Sequence, residues 1–416
     1  MSQVITQESW FDRLGGSIKG VVAGLVLFAV SFPLLFVNEG RAVKTAKALE
    51  EGANLVVEAA SDSIDPANEG RFVHTSDLAS TDAVLKDDFF GVSVNAIRLN
   101  RRVEMLQWKE KQEQQTRKKI GGGTETVTTY SYVQEWSPEL INSTRFHEAS
   151  SHVNPTDVPF QQLTVEAPDV FVGSYRLPKA LVQQITVSEP LEVSLDAVQK
   201  EWAEGLRPYS DGGTASNGFY WSRSSNGGEG SQIGDVRILF TVTRPLEVSI
   251  MAQQTRDTFT PFIASNGRQL NMLTVGVASA DQMFATAAAQ NSMWTWILRA
   301  IGAGCMFFGL TLVVRPLSVL ADVLPPVGSL VEMGTGFVAL LVSASLSLAT
   351  ISVAWLFYRP LVGIPLLLVG MGLIALLVVK LAKQPSVTGD DGDQRIVARR
   401  SNNDQTSQSF DRSIGV

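Results

Sequence analysis

The chain has 416 residues, 45% of them hydrophobic and 18% charged, and its net charge is −7. That balance, with no basic block in the central region, argues against nucleic-acid binding. Its one cysteine, Cys305, excludes an intrachain disulfide and, lying inside an apolar run, reads as a small apolar residue.

Four uncharged apolar runs dominate the pattern: Gly20 to Val37, Ala300 to Val314, Met333 to Tyr358 and Pro360 to Val379. About 20 apolar residues of helix span the hydrocarbon core of a bilayer. The expected order is therefore a cytoplasmic N-terminus (1–19), a first transmembrane helix (20–37) and a large non-cytosolic domain (38–293). A second span (294–314), an interfacial cytoplasmic segment (315–332), a third span (333–358) and a fourth (360–380) follow. Residues 384–416 are polar and poor in large apolar residues, the composition of a disordered cytoplasmic tail.

The first run is long for a signal peptide and is followed by Asn38-Glu39-Gly40-Arg41, with no A-x-A-like site, so it reads as a retained anchor. Arg13, Lys19, Arg315, Lys380 and Lys383 flank the spans on one side, which makes that side cytoplasmic. Trp294, Trp296, Trp355 and Tyr358 fall at the opposite interface, where amphipathic rings anchor helix ends. Arg299 and Arg359 sit at that same interface. Arg299 reads as a snorkelling anchor or as a functional intramembrane charge. Gly16, Gly20 and Gly24 recur every fourth residue and line one helix face. That face suits close packing against a second copy or against the chain's own later spans.

In the central domain, residues 41–58 have the spacing of an amphipathic helix, with Val43, Ala46, Leu49, Ala53 and Val56 apolar and Lys47 and Glu51 as an i,i+4 pair. It packs on its own domain or on a neighbouring subunit. Arg102 to Glu110 and Thr126 to Trp136 form the arms of a hairpin around Gly121-Gly122-Gly123, with a charged, mobile tip from Lys111 to Thr124. Residues 208–234 are rich in Gly, Ser and Asn and read as a surface loop. Strands at 236–242 and 246–250 alternate apolar and polar residues, the pattern of one buried and one wet face. Asn266-Gly267 marks a hairpin turn, and 281–293 is helical. The fold class is a membrane protein with four transmembrane helices and an α+β, mainly antiparallel-sheet domain.

Several strings carry a family resemblance. They are Asn38-Glu39-Gly40-Arg41-Ala42, Asn68-Glu69-Gly70-Arg71, Val103-Glu104-Met105-Leu106-Gln107-Trp108, Tyr130-Ser131-Tyr132 with Glu135-Trp136, and Ile141-Asn142-Ser143. Gly234-Asp235-Val236-Arg237, Asn291-Ser292-Met293 with Trp296, and Trp355-Leu356-Phe357-Tyr358-Arg359-Pro360-Leu361 complete the set. In order and spacing the chain resembles the LUMA (transmembrane protein 43) family over about 20–380, read as a bacterial-type member. It departs in a shorter N-terminus, the Gly/Ser loop and the polar tail. The resemblance implies a membrane scaffold that self-associates and organises membrane or envelope proteins. It implies the endoplasmic reticulum or inner nuclear membrane in a eukaryote, and an inner membrane with a periplasmic domain in a bacterium. The two Asn-Glu-Gly-Arg copies read as turns or as a ligand or partner site, because glycine permits φ > 0.

No G-x-S-x-G, P-loop, HExxH or GxGxxG motif is present, and His74, His147 and His152 lack metal-ligand company. The expected protein is not an enzyme and carries no cofactor. Its partners are the lipid bilayer, other copies of itself and unidentified membrane or envelope proteins. The competing expectation is a channel or transport component formed by an oligomer.

Overall fold

Ser9 starts the first helix, accepting a hydrogen bond from Asp12 N through its hydroxyl. In this computed structural model, which describes residues 2–199, 205–212, 215–223, 231–323, 325–365 and 368, that helix does not stop at the apolar run. Helix α1 runs unbroken from Trp10 to Leu55, 46 residues, or about 69 Å. A capping box between Ser279 and Gln282 opens helix α2, Ala280–Ala321, and helix α3 spans Pro325–Tyr358. All three are long and apolar enough to cross a membrane. Only 17% of the most apolar stretch of α1, and the same share of α2, is buried within the protein. Helices apolar on nearly all faces and so little covered have lipid as their solvent. The chain is an integral membrane protein. The fourth expected span and the tail lie largely outside the described residues.

Between the helices lies the sheet domain. Strands β1 (Ser2–Glu8), β2 (Phe72–Ser80), β3 (Arg98–Lys118), β4 (Thr124–Ser137), β5 (Leu206–Tyr209), β6 (Gly218–Trp221), β7 (Val236–Thr243), β8 (Leu246–Thr255) and β9 (Met272–Val275) form its body. One sheet has the order β1-β4-β3-β7-β6-β5, and the second is centred on β8 between β2 and β9. Phe90, Phe219 and Phe240 are fully buried at the heart of the first sheet's core. A second core gathers Val73, Tyr175, Val248 and Ile250. A third joins the helices to the domain, with Ala48 and Leu49 of α1 and Met283 and Phe284 of α2 packed around Phe72 and Met251.

Several expectations change. Strands β7 and β8 are not wet on one face: Ile238, Leu239 and Phe240 are all buried, as are Val248 to Ala252. Both are covered on two sides, so period two in the sequence understates their burial. Part of the expected surface loop is strand, because β6 carries Phe219 and Trp221 to the core. The expected tip segment is paired strand over most of its length. Lys111–Lys118 pair in register with Thr124–Ser131, and β1 adds to the outer edge of β4. The N-terminal segment and the tip thus share one sheet, which joins strands from the expected segments 1–19 and 38–293.

The helix expected at 41–58 is present as the last part of α1, and it packs on its own domain. Its buried face is Ala42, Val43, Ala48, Leu49 and Gly52, rotated from the expected stripe. Glu51 accepts from Ser265 instead of pairing with Lys47. Residues 315–321 of the expected interfacial segment continue α2 through Pro316.

Candidate functional site

The polar chemistry of the helical pair is concentrated in two joints, one toward each end of α1. At the domain end, Glu39 accepts two bonds from Arg299 of α2, at 2.6 and 2.9 Å. Glu39 is 2% exposed, and the Arg299 guanidinium also lies over the Trp296 ring at 4.7 Å. One turn along, Asn38 Nδ2 donates to the Thr295 carbonyl at 3.1 Å. Arg41 donates to Asn291 Oδ1, Asn38 Oδ1 and Thr295 Oγ1. Asn291 Nδ2 closes the set on the Ala42 carbonyl at 3.0 Å. A bidentate arginine–carboxylate pair fixes orientation as well as distance, so this joint sets how α1 and α2 cross.

Arg299 is therefore not a simple snorkelling anchor, since its charge is neutralised inside the protein. Trp294 and Trp296 are 53% and 66% exposed. Trp355, Tyr358 and Arg359 close α3 in a separate compact unit beginning at Trp355, where Arg359 N donates to the Trp355 carbonyl.

The two Asn-Glu-Gly-Arg copies are different objects. The first, Asn38 to Arg41, is helical and corrects the expectation of a turn: all four residues lie inside α1. The second is a true turn. Gly70 sits at φ +75°, its N–H donates to the Gln254 carbonyl, and Glu69 accepts from Arg256 N. Asn68 caps it by accepting from Arg71 N through its carbonyl. Four residues do not decide helix or turn when the neighbouring residues do.

Between the joints, glycines bring α1 against α2. A Cβ at Gly24 would lie 2.7 Å from the Gly309 carbonyl oxygen, and one at Gly309 would lie 2.8 Å from Phe28 N. Gly20 faces Leu312 at ordinary contact distance, while Gly16 has open space. The glycine face at Gly20 and Gly24 thus packs against the chain's own second apolar helix, the second of the two readings its spacing allows.

At the far end lies a second joint that sequence reasoning missed. Asp322, 1% exposed just beyond α2, pairs with Arg13 at 2.6 Å and Lys118 at 2.9 Å. Lys118 also reaches Glu332, Arg13 donates to the Gly122 carbonyl, and Trp10 Nε1 donates to the Val319 carbonyl at 2.8 Å. The joint ties the start of α1, the hairpin tip and the α2–α3 turn. An open cleft of about 730 Å³ lies beside it, lined in part by Gly16, Thr116, Thr126 and Arg315. The signal available in the sequence was Asp322, an isolated acid between apolar segments.

Burial opposes the charge on Asp322, but the bonds from Lys118 and Arg13 outweigh it and hold the carboxyl below its ordinary range. A depressed carboxylate contributes stability above its unfolded value of about 3.9, and that contribution is lost only as pH falls through the lower folded value. The protection factor against hydrogen exchange across residues 118–124 should accordingly be flat between pH 8 and pH 5. Asp322→Asn should lower it throughout that window by weakening the joint by about 2 kcal/mol. Unchanged exchange in the variant would show that the carboxylate does not hold the tip.

Among the described residues no group of three or more His, Cys, Asp or Glu could hold a metal ion. His74 bonds Glu58 and the Ala278 carbonyl, while His147 and His152 stack on Tyr130 and Tyr132. The remaining family strings converge on the middle of β3. Glu104 pairs with Arg237, whose guanidinium covers Trp136 at 4.9 Å, and Gln107 bonds Glu139 and Ile141.

Comparison with known proteins places these joints in context. The family model for transmembrane protein 43 matches residues 105–360. The chain is 36% identical to transmembrane protein 43 of Homo sapiens over 386 residues, covering 90% of this chain and 93% of that protein. It is 36% identical to the Mus musculus protein over 366 residues, covering 85% and 88%. It is 28% identical to the transmembrane protein 43 homolog of Drosophila melanogaster over 354 residues, covering 83% and 91%. No solved structure matches it. With the apolar helices in place and the match running nearly end to end, the chain belongs to the transmembrane protein 43 family.

Proposed function

We propose that this protein is a non-enzymatic membrane scaffold that self-associates and organises neighbouring membrane or envelope proteins. The observation that carries the reading is the continuity of α1 and α2 from the apolar region into the sheet domain, with the Glu39–Arg299 joint clamping them. A domain carried on two clamped helices keeps a set orientation to the bilayer, which a docking platform needs. Chemical crosslinking in native membranes, followed by purification and mass analysis, should recover copies of the chain together with other membrane proteins. Purified protein that is monomeric and recovers no membrane partner would reject the scaffold.

The flanking charges favour cytoplasmic termini and a non-cytosolic body of the sheet domain, with the hairpin tip reaching back to the N-terminal segment. A reporter fused after Val416 should be active only in the cytosol, and activity on the opposite side would overturn this orientation. The polar cleft beside the Asp322 joint supports a second reading, that of an oligomeric channel or transport component. Reconstituted protein that conducts ions or solutes would favour that reading over the scaffold.

A further inference from the structure

The β3–β4 hairpin is as long as the apolar part of α1 with its flanks. From Met105, the last β3 residue paired with β7, to Lys118 at the tip is about 43 Å at roughly 3.3 Å per residue. From Arg13, which bonds the tip, to Ala42, held at the domain-side joint, is about 44 Å at 1.5 Å per residue. With its tip bonded to Arg13, and with Thr116 and Thr126 lining one cleft with Gly16 and Thr311, a hairpin of that length brings the sheet formed by β1, β4 and the outer half of β3 to the depth of the run 20–37.

That sheet is unlike anything that faces lipid. Residues 111–117 are exposed and include Lys111, Glu113 and Arg117. Among the described residues no strand pairs the outer edge of β3 beyond Met105, and β1 ends the sheet on the other side. At membrane depth, strand edges are closed and polar backbone is enclosed by protein or lines a water-filled space. Both free edges belong to strands running the same way, because β1 and β3 are each antiparallel to β4. The β1 edge of one copy can therefore extend the β3 edge of the next, head to tail, an interface that closes into a ring where the rotation between copies permits. In that pairing Glu8, level with Lys118 across β4, meets the basic end of the neighbouring β3, where Arg117 and Lys119 lie.

We propose that this three-stranded sheet is the surface through which copies of the chain associate. The β1 edge pairs with the Lys109–Lys118 edge of the next copy, the charged face is wet and the apolar helices face lipid. The proposal rests on the self-association put forward above, and its test separates the two. In a Cys305→Ser background, one tagged population carries Ile5→Cys, at a side chain 60% exposed. A second, differently tagged population carries one cysteine in place of Lys111, Glu113, Gln115 or Arg117. The two are co-expressed, and native membranes are oxidised. A reducible heterodimer at one or two neighbouring positions is the expected result. No heterodimer at any of the four, with light scattering showing an oligomer, overturns this surface and leaves self-association standing. A monomer by light scattering overturns both.

Discussion

Arg299→Leu should destabilise the protein by about 3–5 kcal/mol, because it strips the buried Glu39 carboxylate of its bidentate partner. The loss should appear as a lower Tm in detergent or nanodiscs. Removing one member of a buried pair costs far more than removing both, since the cost is that of desolvating the remaining charge. The double substitution Glu39→Met with Arg299→Leu should therefore recover most of the loss, giving a large coupling in a double-mutant cycle. A double variant whose loss equals the sum of the two single losses would show that the two side chains act independently. The same variants should alter the α1–α2 crossing, because the neighbouring bonds of Asn38, Arg41, Asn291 and Thr295 depend on that registration.

Gly24→Ile should be nearly as damaging, for a steric reason. Its Cβ would meet backbone, the Gly309 carbonyl oxygen, and Leu312 Cβ at 2.8 Å, and neither can swing away as the end of a flexible side chain can. Overpacking of this kind costs about 1–3 kcal/mol, and a β-branched side chain puts the value at the upper end. Gly16→Ile is the control. Nothing lies within 4 Å of a Cβ there, so the Tm should hardly move. Sizing by light scattering separates packing within the chain from packing between copies. If Gly24→Ile left the Tm unchanged and dissolved an oligomer, the glycine face would lie between copies after all.

These two sites show what kind of information a sequence holds. Hydrophobic runs, turn glycines and helix caps act over a few residues, so they are legible locally. The apolar runs that became α1, α2 and α3, the turn at Gly121-Gly122, the hairpin at Asn266-Gly267 and the helix leading into the second span could all be read that way. The need for lipid around these helices follows from composition alone. Family membership was legible too, because many short strings in fixed order are specific even when each is weak.

The tertiary structure decided everything that depends on which distant group comes within reach. Arg299 looked like an anchor until α2 was laid beside α1 and Glu39, 260 positions away, met it. The Lys111–Thr124 tip looked mobile because its composition offers no partner, and β1 and Asp322 supply one from elsewhere in the chain. Asn-Glu-Gly-Arg is a helix in one copy and a turn in the other, because four residues carry less free energy than the packing around them. Glycine spacing shows that a helix face admits close approach, but only the fold shows whose backbone approaches. Local propensities amount to tenths of a kcal/mol per residue. Buried pairs and backbone contacts amount to several, so where the two disagree, tertiary placement wins.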